Sequence, residues 1–124
     1  AYLASKRTEL MGEYERRMKA IAAGHPPSER ESWPVQTQEA KALLADANAS
    51  TPWIDAAATA RNTDRIELAN RIVAKDAMYR VISGTLSGVR QRIEDAIDAT
   101  AGDAQALQAI DVTAGWPAST EDAP

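Results

Sequence analysis

Few residues in this sequence have the types and spacing that catalysis or metal binding needs. The only histidine, His25, lies in a Gly-His-Pro-Pro turn, and no Ser-His-Asp set can be assembled around it. Glu94 and Asp98 stand one helical turn apart and could bind a cation or do acid–base work. Their neighbours Arg90 and Arg92 instead favour a solvated charged face. Without cysteines the chain has no disulfide and no thiolate metal site. We therefore expect no catalytic, cofactor-binding or metal site, and an enzyme built on Glu94 and Asp98 is the least favoured alternative.

Composition narrows the class of protein further. The chain has 124 residues and a formal net charge of -4, with acidic and basic residues interleaved. That pattern does not resemble a basic nucleic-acid footprint, and no run of eighteen apolar residues could span a membrane. We predict a single helical domain over residues 1–117 and a disordered acidic tail over 118–124. Because the chain starts at Ala1 without Met, a trimmed start or a fragment of a longer protein is expected.

The elements that would position any functional residue are helices, and the longest is predicted over residues 65–101. Asp64 and Glu67 have the spacing of a capping box, and Gly102 offers a C-terminal stop. At 1.5 Å per residue this helix would span roughly 55 Å. Apolar residues follow three- and four-residue steps along one face, as in a heptad seam: Leu68, Ile72, Tyr79, Ile82, Leu86, Val89, Ile93 and Ala96.

The opposite face of this helix carries small residues: Val73, Ala77, Val81, Gly84 and Gly88. Each glycine inside a helix costs about 1 kcal/mol relative to alanine, and small residues four apart allow another backbone to approach. We therefore expect this face to be covered, either by the helix predicted over 52–61 or by a second molecule. Since that helix is too short for the whole stripe, we predict that Val81, Gly84 and Gly88 contact a partner.

Shorter helices are predicted before and after the long one. The first covers residues 2–23. The second covers 28–48, opens with a Ser28–Glu31 capping box and is kinked or delayed by Pro34. Thr51 and Pro52 open the third, and Asp103 caps a last turn or two. The predicted fold class is all-α: an antiparallel helical bundle around one long central helix, with an irregular C-terminal tail. The alternative is a long coiled coil between chains.

The three tryptophans each lie beside a proline at the boundary of an element. The simplest interpretation is that Trp33, Trp53 and Trp116 seal the ends of the bundle. Tryptophan is also enriched at binding hot spots, and Trp116 lies on an irregular segment outside the long helices. We therefore predict Trp116 and Pro117 as further partner-binding residues.

Two stretches resemble a known group of proteins. One is ESWPVQTQEA at residues 31–40, continued by TPWID at 51–55 and by Arg61. The other is LQAID at 107–111 with GWP at 115–117. As scattered positions between Glu29 and Pro117, they resemble helical segments of tailed-bacteriophage and prophage tail proteins. These are the tail-fibre assembly chaperones and the small domains found at the ends of tail-fibre-associated proteins.

The resemblance implies a non-enzymatic virion or assembly role, without cofactor, in the bacterial host cytoplasm during assembly or in the virion tail. The partner would be a tail-fibre or baseplate protein, a second copy of the chain, or both, with no nucleic acid and no membrane. The alternative is a non-viral helical adaptor or regulatory module that docks a partner through its Trp116 segment.

Overall fold

The computed structural model describes residues 2–118, which form five α-helices. These are α1 (Tyr2–Ala22), α2 (Pro27–Ala45), α3 (Pro52–Arg61), α4 (Arg65–Ala99) and α5 (Ala104–Ala109). No β-strand occurs among these residues, so the all-α prediction with a long central helix is confirmed. From residue 119 onward, the tail predicted over 118–124 lies outside the described residues.

The chain divides into two compact units that share α4. Unit 1 contains Ala1–Ala23 and Arg80–Pro124, and unit 2 contains Gly24–Tyr79. In unit 1, α1 and α5 pack with the C-terminal part of α4. In unit 2, α2 and α3 pack with its N-terminal part. The prediction of a single domain over 1–117 stays a prediction.

The core of unit 1 joins α1, α4, α5 and the segment after α5. Its buried residues are Leu10, Val89, Ile93, Ile97, Leu107 and Val112. Arg7 donates to Asp98 at 2.8 Å and Tyr14 Oη lies 3.4 Å from Ser87 Oγ, so α1 and α4 run antiparallel. The predicted seam is wrong at Tyr79, which is exposed, and at its last position. Ala96 is exposed and Ile97 is fully buried, because a straight helix repeats every 3.6 residues and drifts off a 3.5-residue seam.

The core of unit 2 joins the N-terminal part of α4 to α2 and α3. Its buried residues are Ala40 and Leu43 of α2, Ile54 and Ala58 of α3, and Leu68, Ala69 and Ile72 of α4. Val73 is partly buried against the same cluster. The first turns of α4 are therefore packed against α2 and α3.

The start of α2 differs from the prediction. The helix begins at Pro27 after Pro26, without a side-chain cap, so the Ser28–Glu31 capping box is wrong. Proline has no backbone N–H, so at the first helical position it leaves no donor unpaired. This explains why α2 starts at Pro27. Pro34 lies inside a continuous helix, and α2 ends at Ala45, before the predicted end at 48.

The start of α3 is capped from another helix. Glu39 of α2 accepts hydrogen bonds from the backbone N–H groups of Trp53 at 3.3 Å and Ile54 at 3.0 Å. Thr51 makes no side-chain cap, and its hydroxyl donates instead to Asp55 at 3.0 Å. The carboxylate of Glu39 thus satisfies N–H groups that the first turn of α3 leaves without helical partners.

Arg65, the first residue of α4, fastens the connection between α2 and α3. It donates to Asp55 at 2.9 Å, to Thr51 Oγ1 at 2.7 Å, and to the carbonyls of Ala47 and Ala49 at 3.1 and 3.3 Å.

Half of the predicted capping box of α4 is present. Asp64 accepts from the N–H groups of Ile66 and Glu67, while the Glu67 side chain pairs with Arg71. At α5, the predicted cap is confirmed, since Asp103 accepts from Ala106 N–H at 2.9 Å.

Candidate functional site

The candidate site is one face of α4 in unit 1, formed by Val81, Gly84, Thr85 and Gly88. We call it the glycine face. At 100° per residue these four positions fall within roughly 100° of the helix circumference. All four are exposed, and Val81 has 69% of its surface accessible, more than any other large hydrophobic residue described.

The core of unit 1 sets the direction of this face. Leu86, Val89 and Ile93 are buried on the side of α4 that lies roughly 120° around the axis from the glycine face. Leu86 has no exposed surface, so the helix cannot rotate about its axis without removing this side chain from the core. The glycine face therefore points outward from its unit by construction.

The two glycines leave the helix backbone accessible. A Cβ atom built on Gly84 or Gly88 would meet no atom within 4 Å among the described residues. Thr85 donates its hydroxyl hydrogen to the carbonyl of Val81 at 2.8 Å, which satisfies its only donor within the helix. The face therefore presents a shallow, small and largely apolar surface.

The alternative in which α3 covers this face does not hold at Val81, Gly84 and Gly88, which are exposed within the described residues. The short helix α3 buries Ile54 and Ala58 with Leu68, Ala69 and Ile72 in the core of unit 2. Of the predicted stripe only Val73 is partly buried, and Ala77 is exposed. A partner contact at Val81, Gly84 and Gly88 stays a prediction.

Sequence reasoning missed Thr85 and Arg92. Arg92 lies one turn beyond Gly88, within roughly 20° of Val81 around the helix. Its guanidinium donates to the carbonyl of Gly115 at 3.3 Å, and a Cβ at Gly115 would lie 2.5 Å from it. Counting in steps of four would have found both residues, Thr85 from Val81 and Arg92 from Gly88. Thr85 adds a hydroxyl to the face, and Arg92 adds a cation.

The predicted partner-binding residue Trp116 is held within unit 1. Its indole N–H donates to the carbonyl of Val112 at 2.7 Å, and its ring packs against the core of that unit. Arg17 lies over the ring, 5.2 Å from its centroid, and donates to the carbonyl of Pro117 at 3.3 Å. These contacts account for Trp116 as a residue that closes the core. A partner contact at Trp116 and Pro117 stays a prediction.

Arg17 is itself positioned by Glu13. Burial disfavours the charged form of Glu13, but hydrogen bonds from Arg17 and Arg16 outweigh it and hold the pKa of Glu13 below its ordinary value. The Arg17 guanidinium donates to Glu13 at 2.7 Å. The carboxylate therefore orients the cation that covers Trp116.

The residues considered for chemistry make structural ion pairs. Glu94 pairs with Arg90 and Asp98 with Arg7 at 2.8 Å, and His25 lies beside Glu29 and edge-on to Trp33. Over residues 2–118, no group of histidine, aspartate and glutamate is arranged to hold a metal ion. Nor does any helix in that range combine the length and the apolar character that a membrane span requires.

The family model of the HI1402 helical domain matches residues 74–116, a region that contains the glycine face and ends at Trp116. Neither the curated proteins nor the solved structures contain a match to this chain.

Proposed function

We propose that this chain is a non-enzymatic protein-binding module whose glycine face receives a helix of a partner protein. The observation that carries the proposal is a pair of helix-interior glycines on an exposed face beside an exposed valine. Each glycine costs α4 about 1 kcal/mol relative to alanine, and no neighbour within the described chain needs the space. A partner that packs closely on the backbone explains why the space is kept.

The physical advantage of glycine here is close approach. Without Cβ atoms, a second helix can bring its own backbone near α4, which increases dispersion contacts and allows weak Cα–H···O contacts. Val81 then supplies the apolar side chain that the contact buries. A fully buried valine side chain contributes about 1.5–3 kcal/mol.

The resemblance to phage tail-fibre assembly chaperones and tail-fibre-associated domains supports a class of partner. We place the chain in tail assembly in the bacterial host or in the virion tail, with a tail-fibre or baseplate protein on the glycine face. A second copy of the chain is the alternative occupant. Both are protein partners, so neither reading needs a cofactor or a reaction.

The direct test is Gly88→Leu, compared with the matched control Gly12→Leu. Gly12 is a second exposed helical glycine around which a Cβ would meet nothing within 4 Å, but it lies on α1. The chain, carrying a photo-crosslinking amino acid in place of Val81, would be co-expressed with a candidate tail-fibre protein. We expect a crosslinked complex that Gly88→Leu reduces at least tenfold, while Gly12→Leu leaves it intact.

Light scattering on the free chain separates the two occupants. A dimer mass that Gly88→Leu converts to a monomer identifies a second copy as the occupant. A monomer throughout, with crosslinks to the fibre protein, identifies the fibre protein. If Gly88→Leu neither lowers crosslinking nor changes the mass, the glycine face is not a binding surface. The same holds if Gly88→Leu unfolds a chain that was monomeric.

A further inference from the structure

A groove in unit 2 lies away from the residues of the glycine face in the sequence and has different chemistry. It is lined by α2, α3 and α4 and has a volume of about 590 Å³, which is within the range of pockets that hold ligands. We call it the unit 2 groove. Nothing in the proposed function uses it.

Part of the lining of the unit 2 groove is apolar. Trp33 of α2 and Trp53 of α3 both line it and are half-buried, so each ring keeps part of its surface accessible. Leu68 and Ile72 of α4, which are 6% and 7% exposed, also line the groove and belong to the core. Two tryptophans with a rigid aliphatic floor are typical of a site that takes an apolar anchor side chain.

The charged residues around this apolar surface are mostly cationic. Arg61 of α3 and Arg71 and Lys75 of α4 line the groove, against the single carboxylate of Glu29. The lining therefore carries an excess of two positive charges in a chain whose formal net charge is -4. A cleft with one predominant sign of charge concentrates ligands of the opposite sign.

These cations are available to a ligand. Among residues 2–118, Arg61 is exposed and has no ion pair, and Lys75 lies 3.8 Å from Glu29 with half of its side chain accessible. Arg71 pairs with Glu67 on the same exposed helix face, an interaction worth a few tenths of a kcal/mol. A carboxylate from a partner can therefore join each of them at little cost.

The arrangement selects the chemistry of the occupant. Cations on two different helices flank one apolar floor, so the ligand has an apolar centre and more than one carboxylate around it. The exposed Ser28 adds a hydroxyl suited to a peptide N–H or C=O group, whereas Ser32 and Gln36 are hydrogen-bonded to each other at 2.7 Å. Nucleic acid does not fit, because three cations in an acidic protein give too small a basic surface.

We propose that the unit 2 groove binds a short acidic peptide segment of a partner protein. An apolar side chain of that segment packs against Trp33 and Trp53, and its carboxylates pair with Arg61, Arg71 and Lys75. The two proposals rest on different residues, so each can be tested with its own variants.

The test begins with selection from a displayed random-peptide library on the full chain. We expect the enriched peptides to share an aromatic or aliphatic residue flanked by aspartate or glutamate. The consensus peptide would then be synthesised with a fluorescent label, and its binding measured by anisotropy. Enrichment of basic peptides, of purely apolar peptides, or of none would overturn the proposal.

A pair of charge variants supplies the control. Arg61→Gln with Lys75→Gln removes two groove cations, whereas Arg30→Gln with Lys41→Gln removes two exposed cations of α2 that do not line the groove. The first pair should weaken the consensus peptide about tenfold or more, since charge-assisted contacts are the stronger ones. The second pair should leave binding within a factor of about two, as expected for distant surface charges.

A charge reversal makes the assignment specific. Lys75→Glu should lose the acidic peptide and regain a version in which one glutamate is replaced by lysine. Equal weakening by both variant pairs, or no rescue, would show that the peptide binds elsewhere. Gly88→Leu should not alter peptide binding. A dimer mass that Arg61→Gln with Lys75→Gln abolishes would show that a second copy, and not a peptide segment, occupies the groove.

Discussion

The long helix α4 uses small residues in opposite ways along its length. In unit 2, Ala69 has no exposed surface and lies among Ala40, Leu43 and Ile54, where its size lets α2 and α3 come close. In unit 1, Gly84 and Gly88 are exposed and nothing within the described chain approaches them. The small residue in unit 2 serves a close contact inside the chain. If Gly84 and Gly88 serve a close contact as well, it is made with another molecule.

The largest expected effect comes from enlarging the buried small residue. Ala69→Leu should destabilise the protein by about 1–3 kcal/mol, because overpacking a filled core forces its neighbours apart. Urea unfolding followed by circular dichroism would measure the free energy of unfolding. Gly88→Leu, measured in the same way on the isolated chain, should cost nothing or be slightly stabilising, since leucine is the better helix former. Equal losses at both positions would abolish the contrast between the two stretches.

A smaller effect of opposite sign is expected at Gly84. Gly84→Ala should raise the free energy of unfolding by up to about 1 kcal/mol, since alanine is the better helix former and its methyl group meets open space. Thermal melts of the free chain would show the gain. The same substitution should weaken crosslinking to a partner, because the added methyl group lies where a helix approaches.

Two controls sharpen this result. Gly12→Ala, in equally open surroundings on α1, should give a similar gain in stability without affecting the partner. Gly24→Ala should lower the free energy of unfolding, because the backbone there has a φ of 88°, which residues other than glycine rarely adopt. A loss of stability at Gly84 would show that some part of the chain rests on it.

The smallest effect concerns the ion pair that supports Trp116 in unit 1. Because the pKa of Glu13 is lowered in the folded chain, its charge stabilises the fold above the ordinary value of 4.5, and this contribution is lost as the pH falls through the folded pKa. Glu13→Gln should therefore lower the free energy of unfolding by a few tenths of a kcal/mol at pH 7. The difference in free energy from wild type should disappear in acid.

Unfolding measured between pH 7 and pH 3 would test this. The matched control is Glu67→Gln in unit 2, which removes an exposed i, i+4 pair with Arg71 and should have less effect. A difference between wild type and Glu13→Gln that grows in acid would contradict the assignment.

Local signals in the sequence were enough to predict the helices. Three kinds of local signal hold in the structure: Pro52 at the first position of α3, Asp103 at the cap of α5, and the seam positions Leu68, Ile72, Leu86, Val89 and Ile93. The seam position Tyr79 is exposed. The exposure of Val81 and Gly88 could be foreseen only as one of two options. Choosing between them required knowing where α3 packs.

The interactions that sequence reasoning missed connect residues distant along the chain. Glu39 caps α3 across 14 and 15 residues, and Arg17 reaches Pro117 across 100. Ser28 and Glu31 had the spacing of a capping box, but the helix begins one residue earlier, at Pro27. The ring of Pro27 fixes the backbone in a conformation suited to a helix start. The unit 2 groove likewise arises from Trp33, Trp53 and Arg61 on separate helices, which no local pattern relates.

Arg65 has a consequence for how this sequence can change. Its guanidinium donates hydrogen bonds to the carbonyls of Ala47 and Ala49 and to the hydroxyl of Thr51. These acceptors lie at alternate positions along the connection between α2 and α3. Inserting or deleting a single residue there would shift these acceptors out of register. Surface connections generally tolerate changes in length. The length of this one is restricted, because Arg65 hydrogen-bonds to three of its residues. Diverging sequences that keep Arg65 should therefore keep the spacing between Ala47 and Thr51, and place their insertions elsewhere.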